Sequence, residues 1–155
     1  MPLSKKVLQD ELSKFMDQES PIFEGFPDSK AAAALKYAAA FGAYAIGVTP
    51  VSTAVVTAQG TLQLAIRGAF DSPGQFQNLL GPSVAAFAAT IGGGMTAAGF
   101  TGAITAPPPA YKPIFDVGAK SKASVTVNGI ANLTHAYFSL GIATNITSGA
   151  TIKWL

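Results

Sequence analysis

The chain has 155 residues, 49% of them hydrophobic, with 10 Lys and Arg, 8 Asp and Glu, and no cysteine. That length suits one domain with a single modest core. The scattered bases argue against a nucleic-acid face, and the missing thiols exclude disulfides, thiolate metal ligands and a cysteine nucleophile. Charge is unevenly placed. Six acids and five bases lie in the first 36 residues, and the remaining 119 residues carry seven charges, Arg67, Asp71, Lys112, Asp116, Lys120, Lys122 and Lys153. A free soluble domain keeps about 25–35% of its surface charged, so a body this neutral is expected to have much of its surface covered by neighbours.

Near the amino terminus the sequence turns charged within a few residues of Leu3, without the apolar core of a secretory signal, and synthesis in the cytoplasm is expected. Ser4 is placed to cap a helix over 5–18, in which Leu8, Leu12, Phe15 and Met16 recur at three- and four-residue spacing opposite Lys5, Lys6, Asp10, Glu11, Lys14 and Asp17. Pro21 and Pro27 make 21–27 an extended linker anchored by Phe23 and Phe26. Residues 1–28 therefore read as an amphipathic helical arm and linker, and 29–155 as a helical body with a C-terminal β segment.

Ser29 caps an alanine-rich helix over 30–46 with Tyr37, Phe41 and Tyr44 on one face. Its small residues admit another backbone closely, either within a bundle or at a subunit contact. Residues 51–58 fit a β-rich connector or the first turns of a helix continuing through Leu62, Ile66, Ala69 and Phe70. Asp71-Ser72-Pro73-Gly74 is a turn, Pro82 starts a helix over 83–91, and Gly92-Gly93-Gly94 stops it.

The Gly-, Thr- and Pro-rich stretch 95–119 reads as a long surface loop that packs Phe100, Tyr111, Ile114 and Phe115 onto the body. A last helix is expected within 119–140, with Val127, Ile130, Ala131, Thr134, Tyr137 and Phe138 inward and Gly141 closing it. Residues 142–147 and 150–155 read as a hairpin around Ser148-Gly149. The expected fold is mainly α: an Ala-rich helical bundle with an N-terminal helical arm, a long Gly/Pro-rich loop and a short C-terminal β-hairpin.

Catalytic chemistry is sparse. His135 is the sole histidine, and the nearest carboxylate in sequence is Asp116, nineteen residues away, so a metal site has too few clustered ligands. Ser139, His135 and Asp116 can be drawn as a triad, but no Gly-x-Ser-x-Gly elbow surrounds any serine. Gly92-Gly93-Gly94 lacks the Gly-Lys-Ser/Thr ending of a phosphate loop and follows a helix instead of a strand. The expectation is a non-enzymatic protein with no catalytic, metal or cofactor site and no small-molecule substrate. The alternative is a small membrane-associated protein using the uncharged stretch 37–58, which is close to spanning length but interrupted by Pro50 and several Ser and Thr.

Four segments carry a family likeness: Ala38-Ala39-Ala40-Phe41-Gly42-Ala43-Tyr44-Ala45, Val84-Ala85-Ala86-Phe87-Ala88-Ala89-Thr90-Ile91, Thr101-Gly102-Ala103 with prolines after it, and Leu133-Thr134-His135-Ala136-Tyr137-Phe138 leading to Gly149-Ala150-Thr151-Ile152-Lys153-Trp154. In this order the chain resembles small virion structural proteins of tailed bacteriophages. The resemblance implies a tail, baseplate or neck component made in the host cytoplasm and located in the virion. It also implies many copies held by symmetry, with copies of itself and other virion proteins as partners. Its candidate subunit contacts are Leu8, Leu12, Phe15, Met16, Phe23, Phe26, Tyr111, Phe115, Ile152 and Trp154.

Overall fold

Leu8, Leu12 and Phe15 recur one helical turn apart, and burying that stripe favours helix over 5–16; the first helix, α1, spans Lys5–Met16. The computed structural model describes residues 2–155. Ser4 has the extended backbone of a cap, but its hydroxyl makes no bond to the helix; its carbonyl instead accepts Val7 N–H at 3.0 Å. Ser29 does cap α2 (Lys30–Ala45), its hydroxyl accepting Ala32 N–H at 3.0 Å. After a connector that contains a cis Thr49–Pro50 bond come α3 (Val55–Phe70) and α4 (Phe76–Gly93), with a 3-10 turn over Gly94–Ala98. Strand β1 (Phe100–Ala103), helices α5 (Lys112–Gly118) and α6 (Ala123–Phe138), and strands β2 (Ile142–Asn145) and β3 (Thr151–Lys153) complete the chain.

The molecule is mainly helical, with a small antiparallel sheet near the carboxyl end, as expected. Adjacent helices run antiparallel. Lys30 Nζ lies 3.6 Å from Asp71 and Lys122 Nζ 3.4 Å from Glu19, which joins the start of α2 to the end of α3 and the start of α6 to the end of α1. At the other end, Thr49 N–H donates to Trp154 O at 3.0 Å and Thr53 N–H to Gly94 O at 3.0 Å. Two aromatic clusters fill the core between these ends. Phe15, Tyr37, Phe70 and Phe76 meet near the first, and Phe41, Tyr44, Phe87, Phe138 and Trp154 near the second, with ring centroids 4.6–6.3 Å apart.

Several expectations are corrected. The α1 segment is not a free arm: it packs on α2 and α6 of its own chain, with Leu8 and Leu12 fully buried. The linker is tied back by Glu24 N–H to Lys14 O at 2.7 Å. A stripe this apolar is covered more readily by a surface already in the same chain, because closing a short loop costs little entropy.

Helix α4 starts at Phe76, so Pro82 lies inside it. Pro82 and Asn78 are both exposed, and the carbonyl left without an amide donor can meet water, which lowers the usual cost of an internal proline. The 95–119 loop is largely ordered into the 3-10 turn, β1 and α5. The hairpin therefore becomes a three-stranded sheet of order β1-β2-β3. Its register sets Gly102 opposite Ala143 and Ala143 opposite Ile152 on the inner face.

Gly92 is where α4 crosses β1. A Cβ there would collide with the Gly102 carbonyl oxygen, whereas one at Gly60, on the open face of α3, would meet nothing. Gly92→Ala is expected to destabilise by about 1–3 kcal/mol through overpacking. Gly60→Ala should instead stabilise by about 0.5–1 kcal/mol through reduced chain entropy in a helix interior. Urea midpoints of the two variants test this contrast, and a stability gain at Gly92 would contradict it.

Candidate assembly surface

The up-and-down helices gather charge of both signs at one end of the molecule and leave the other end with little. The first end holds the close of α1, the linker, the starts of α2, α4 and α6, and the end of α3. Asp17, Glu19, Glu24, Asp28 and Asp71 lie there together with Lys14, Lys30, Arg67, Lys120 and Lys122, so acids and bases balance. The opposite end, the sheet pole, is built from residues 2–6, 46–56, 93–103 and 139–155. Among the described residues its only charges are Lys5, Lys6 and Lys153.

Apolar side chains crowd the same pole. Eight of the fifteen large hydrophobic side chains exposed among the described residues are found there. Val56 is 82% exposed, Val51 71% and Ile46 65%; Leu140, Ile142, Ile146, Ile152 and Leu155 are also open. Isolated surface hydrophobics are ordinary, but this many at one end with so little charge mark a contact surface.

Local structure explains why these side chains stay outside. Ser52 donates to Ile91 O at 2.6 Å, and both the Thr53 amide (3.0 Å) and its hydroxyl (3.2 Å) donate to Gly94 O. These bonds tie the connector to carbonyls at the end of α4, while Val51 and Val56 stay at the outer surface. In the sheet, period-two alternation turns Gly102 and Ala143 inward and Thr101, Ala103, Ile142 and Thr144 outward. A groove of about 250 Å³ on this outer face is lined by Thr101, Gly102, Ala103, Thr105, Leu140, Ile142 and Thr144.

Only part of the expected contact set is available to a neighbour. Leu8, Leu12, Phe15, Tyr111 and Trp154 are buried in the chain's own core. Tyr111 hydrogen-bonds Thr134 at 2.7 Å, and Trp154 lies beneath the sheet with its ring 5.8 Å from Phe138. Met16, Phe23 and Phe115 are half-buried; Phe26 and Ile152 remain exposed. Most of the sheet pole was missed. Its signal was present in the sequence as large apolar residues at helix ends and turns, where polar residues ordinarily stand.

The residues of the drawn triad bind elsewhere. The Ser139 hydroxyl donates to Ala136 O at 2.7 Å, Lys112 pairs with Asp116 at 2.5 Å, and His135 Nδ1 meets the Tyr44 hydroxyl at 2.9 Å. No group of three or more His, Asp and Glu able to hold a metal lies among the described residues. The stretch 37–58 is not one helix, since α2 ends at Ala45 and α3 begins at Val55. One other helical segment, Phe76–Ala98, is long and apolar enough to cross a membrane, and half of its most apolar window is buried inside the protein.

Burial raises the hydroxyl pKa of Tyr37, Tyr44 and Tyr111 well above the ordinary value, with Thr134 partly opposing the rise at Tyr111. Unfolded tyrosines release their protons near pH 10, so above that value the unfolded chain gains charge that the folded one does not. Stability is thus fully present below about pH 10 and falls as pH rises past it. Absorbance at 295 nm should show these three tyrosines ionising together with unfolding; ordinary titration of all four in the folded protein would contradict this.

Comparison with known proteins finds no match: no family model, no curated protein and no solved structure is similar to this chain.

Proposed function

We propose that this chain is a non-enzymatic structural subunit of a multi-copy assembly, with a bacteriophage virion as its setting. The observation that carries the reading is the sheet pole, where Ile46, Val51, Val56, Leu140, Ile142 and Ile146 lie exposed and the charges among the described residues are Lys5, Lys153 and Lys6, the last paired with Asp10. Covering such a surface with neighbours removes apolar area from water at roughly 25 cal/mol per Å², and repetition by symmetry lets one patch serve every copy. The likeness to small phage virion proteins supplies the setting, through the alanine-rich stretches in α2 and α4 and the segment from Leu133 to Trp154. Light scattering on the purified chain should give a particle mass several times that of one copy. A mass of one copy across the soluble concentration range would refute the proposal.

A further inference from the structure

We infer that two copies of this chain pair through the free edge of β3, antiparallel and about a two-fold axis at Ile152, so that one sheet runs through both copies. This rests on the reading of the chain as an assembly subunit and names one contact of that assembly. The observation behind it is an unpaired strand edge. Trp154 N–H donates to Gly141 O at 3.1 Å and Asn145 N–H to Ala150 O at 2.7 Å, so Ala150, Ile152 and Trp154 face β2. By the two-residue alternation of a strand, Thr151 and Lys153 turn their N–H and C=O groups to the opposite side. There β3 has no neighbouring strand, and those groups make no backbone bond outside the sheet among the described residues.

The other edge of the sheet is closed. Helix α4 lies across β1, with Gly92 packed so tightly on Gly102 that a Cβ would strike the carbonyl oxygen. Another copy therefore has no free β1 edge to offer, and the strand edge that β3 can meet on it is β3 again. The residues suit that pairing. With the axis at Ile152, Thr151 falls opposite the other copy's Lys153, and each such pair exchanges both of its N–H···O bonds. Ile152 falls opposite its own equivalent in a non-hydrogen-bonded pair, where side chains stand closest and Cα atoms lie about 4.5 Å apart. It is 40% exposed, although it continues the inner row of Gly102 and the fully buried Ala143. A second Ile152 covers that open flank.

Lys153 decides the direction. A parallel stack of β3 strands in register would set lysine directly over lysine, a repulsive arrangement, whereas the antiparallel pair sets it over Thr151. Apolar residues flank the strand as well. Thr49 N–H donates to Trp154 O at 3.0 Å, which keeps the connector bearing exposed Ile46 and Val51 beside the end of β3, and Leu155 is exposed there too. Because the patch meets itself, the contact is isologous and closes at two copies; larger particles need a second contact elsewhere.

The test uses the full chain. Lys153→Pro removes an N–H that faces away from β2, and an edge strand tolerates proline at such a position, so circular dichroism should show the parent's fold. Its self-association in sedimentation velocity should weaken at least about tenfold, because the two-fold axis makes each lost bond count twice. Lys153→Thr keeps the N–H and removes the charge, and should associate at least as tightly as the parent. A second measurement does not depend on proline. The chain has no cysteine, so Ile152→Cys introduces one thiol per copy. Copper phenanthroline in air should join the two thiols as a disulfide, each giving up a proton and an electron to the oxidant, because the paired Cα separation suits that bond. Val56→Cys, exposed on α3, should link far more slowly.

A Lys153→Pro variant that folds and associates like the parent would overturn the strand contact and leave the assembly reading standing. So would an Ile152→Cys variant that links no faster than Val56→Cys while the parent associates. A parent chain that stays monomeric would overturn both the contact and the assembly reading, and its flotation with anionic phosphatidylserine vesicles would assign the sheet pole to a membrane surface instead.

Discussion

Deleting residues 1–28 is expected to leave a chain that no longer unfolds cooperatively. The segment looks detachable in sequence, because charge is concentrated there and prolines follow it. In the folded protein it supplies Leu3, Leu8, Leu12 and Phe15 to the core, Leu8 and Leu12 with no exposed surface. Fully burying side chains of this kind contributes about 1.5–3 kcal/mol each, so the four together contribute roughly 6–12 kcal/mol. A domain of this size has a net stability of about 5–15 kcal/mol, which the deletion would largely remove. It would also strip Phe15 from Tyr37, whose rings pack edge to face at 5.0 Å. Circular dichroism melts of the truncated and full chains test this; a cooperative transition within a few degrees of the parent would show that α1 is separable after all. Truncation is therefore a poor assay of assembly, because a lost fold would imitate a lost contact.

Trp154→Ala should lower the melting temperature by about 6–20 °C. Large aromatic-to-alanine changes in a core cost about 3–5 kcal/mol, and each kcal/mol shifts a chain of this size by roughly 2–4 °C. Trp154 is fully buried, and the indole lies so close to Gly102 and Gly141 that a Cβ at either would press into its ring. Three strands, the end of α4 and the end of α6 thus close over one side chain near the carboxyl terminus. Its Nε1 has no hydrogen-bond partner, an omission that costs about 1–3 kcal/mol. Trp154→Phe should therefore be much milder than Trp154→Ala, since the lost volume is offset by removal of the unpaired donor. Equal losses in the two variants would mean that volume is not what the site requires.

Where the sequence was read correctly, the signal was local. The first helix, expected over 5–18 and found over Lys5–Met16, and the cap at Ser29 depend on residues within a few positions of one another. The same holds for the inward set of α6, where Val127, Ile130, Ala131, Thr134, Tyr137 and Phe138 are all buried. Strand β1 was lost because four residues in a Gly- and Thr-rich segment carry little signal; the alternation from Phe100 to Thr105 was its only trace. The internal Pro82 defeated a local rule because the cost of proline depends on whether the freed carbonyl can reach water, which depends on how α4 is oriented in the fold.

The assembly surface divides along the same line. Uneven charge and the absence of clustered catalytic groups are properties of the residues themselves, and they could be read before any fold was known. Which apolar residues remain for a neighbour is a different kind of question, because a helix period marks a buried face without saying what buries it. Leu8, Leu12, Phe15, Tyr111 and Trp154 are covered by their own chain, whereas Phe26 and the residues of the sheet pole are not. Local periodicity is written into the sequence residue by residue. The choice between core and contact depends on which surfaces remain unsatisfied once every helix has packed, and that is settled by contacts between residues far apart in the chain.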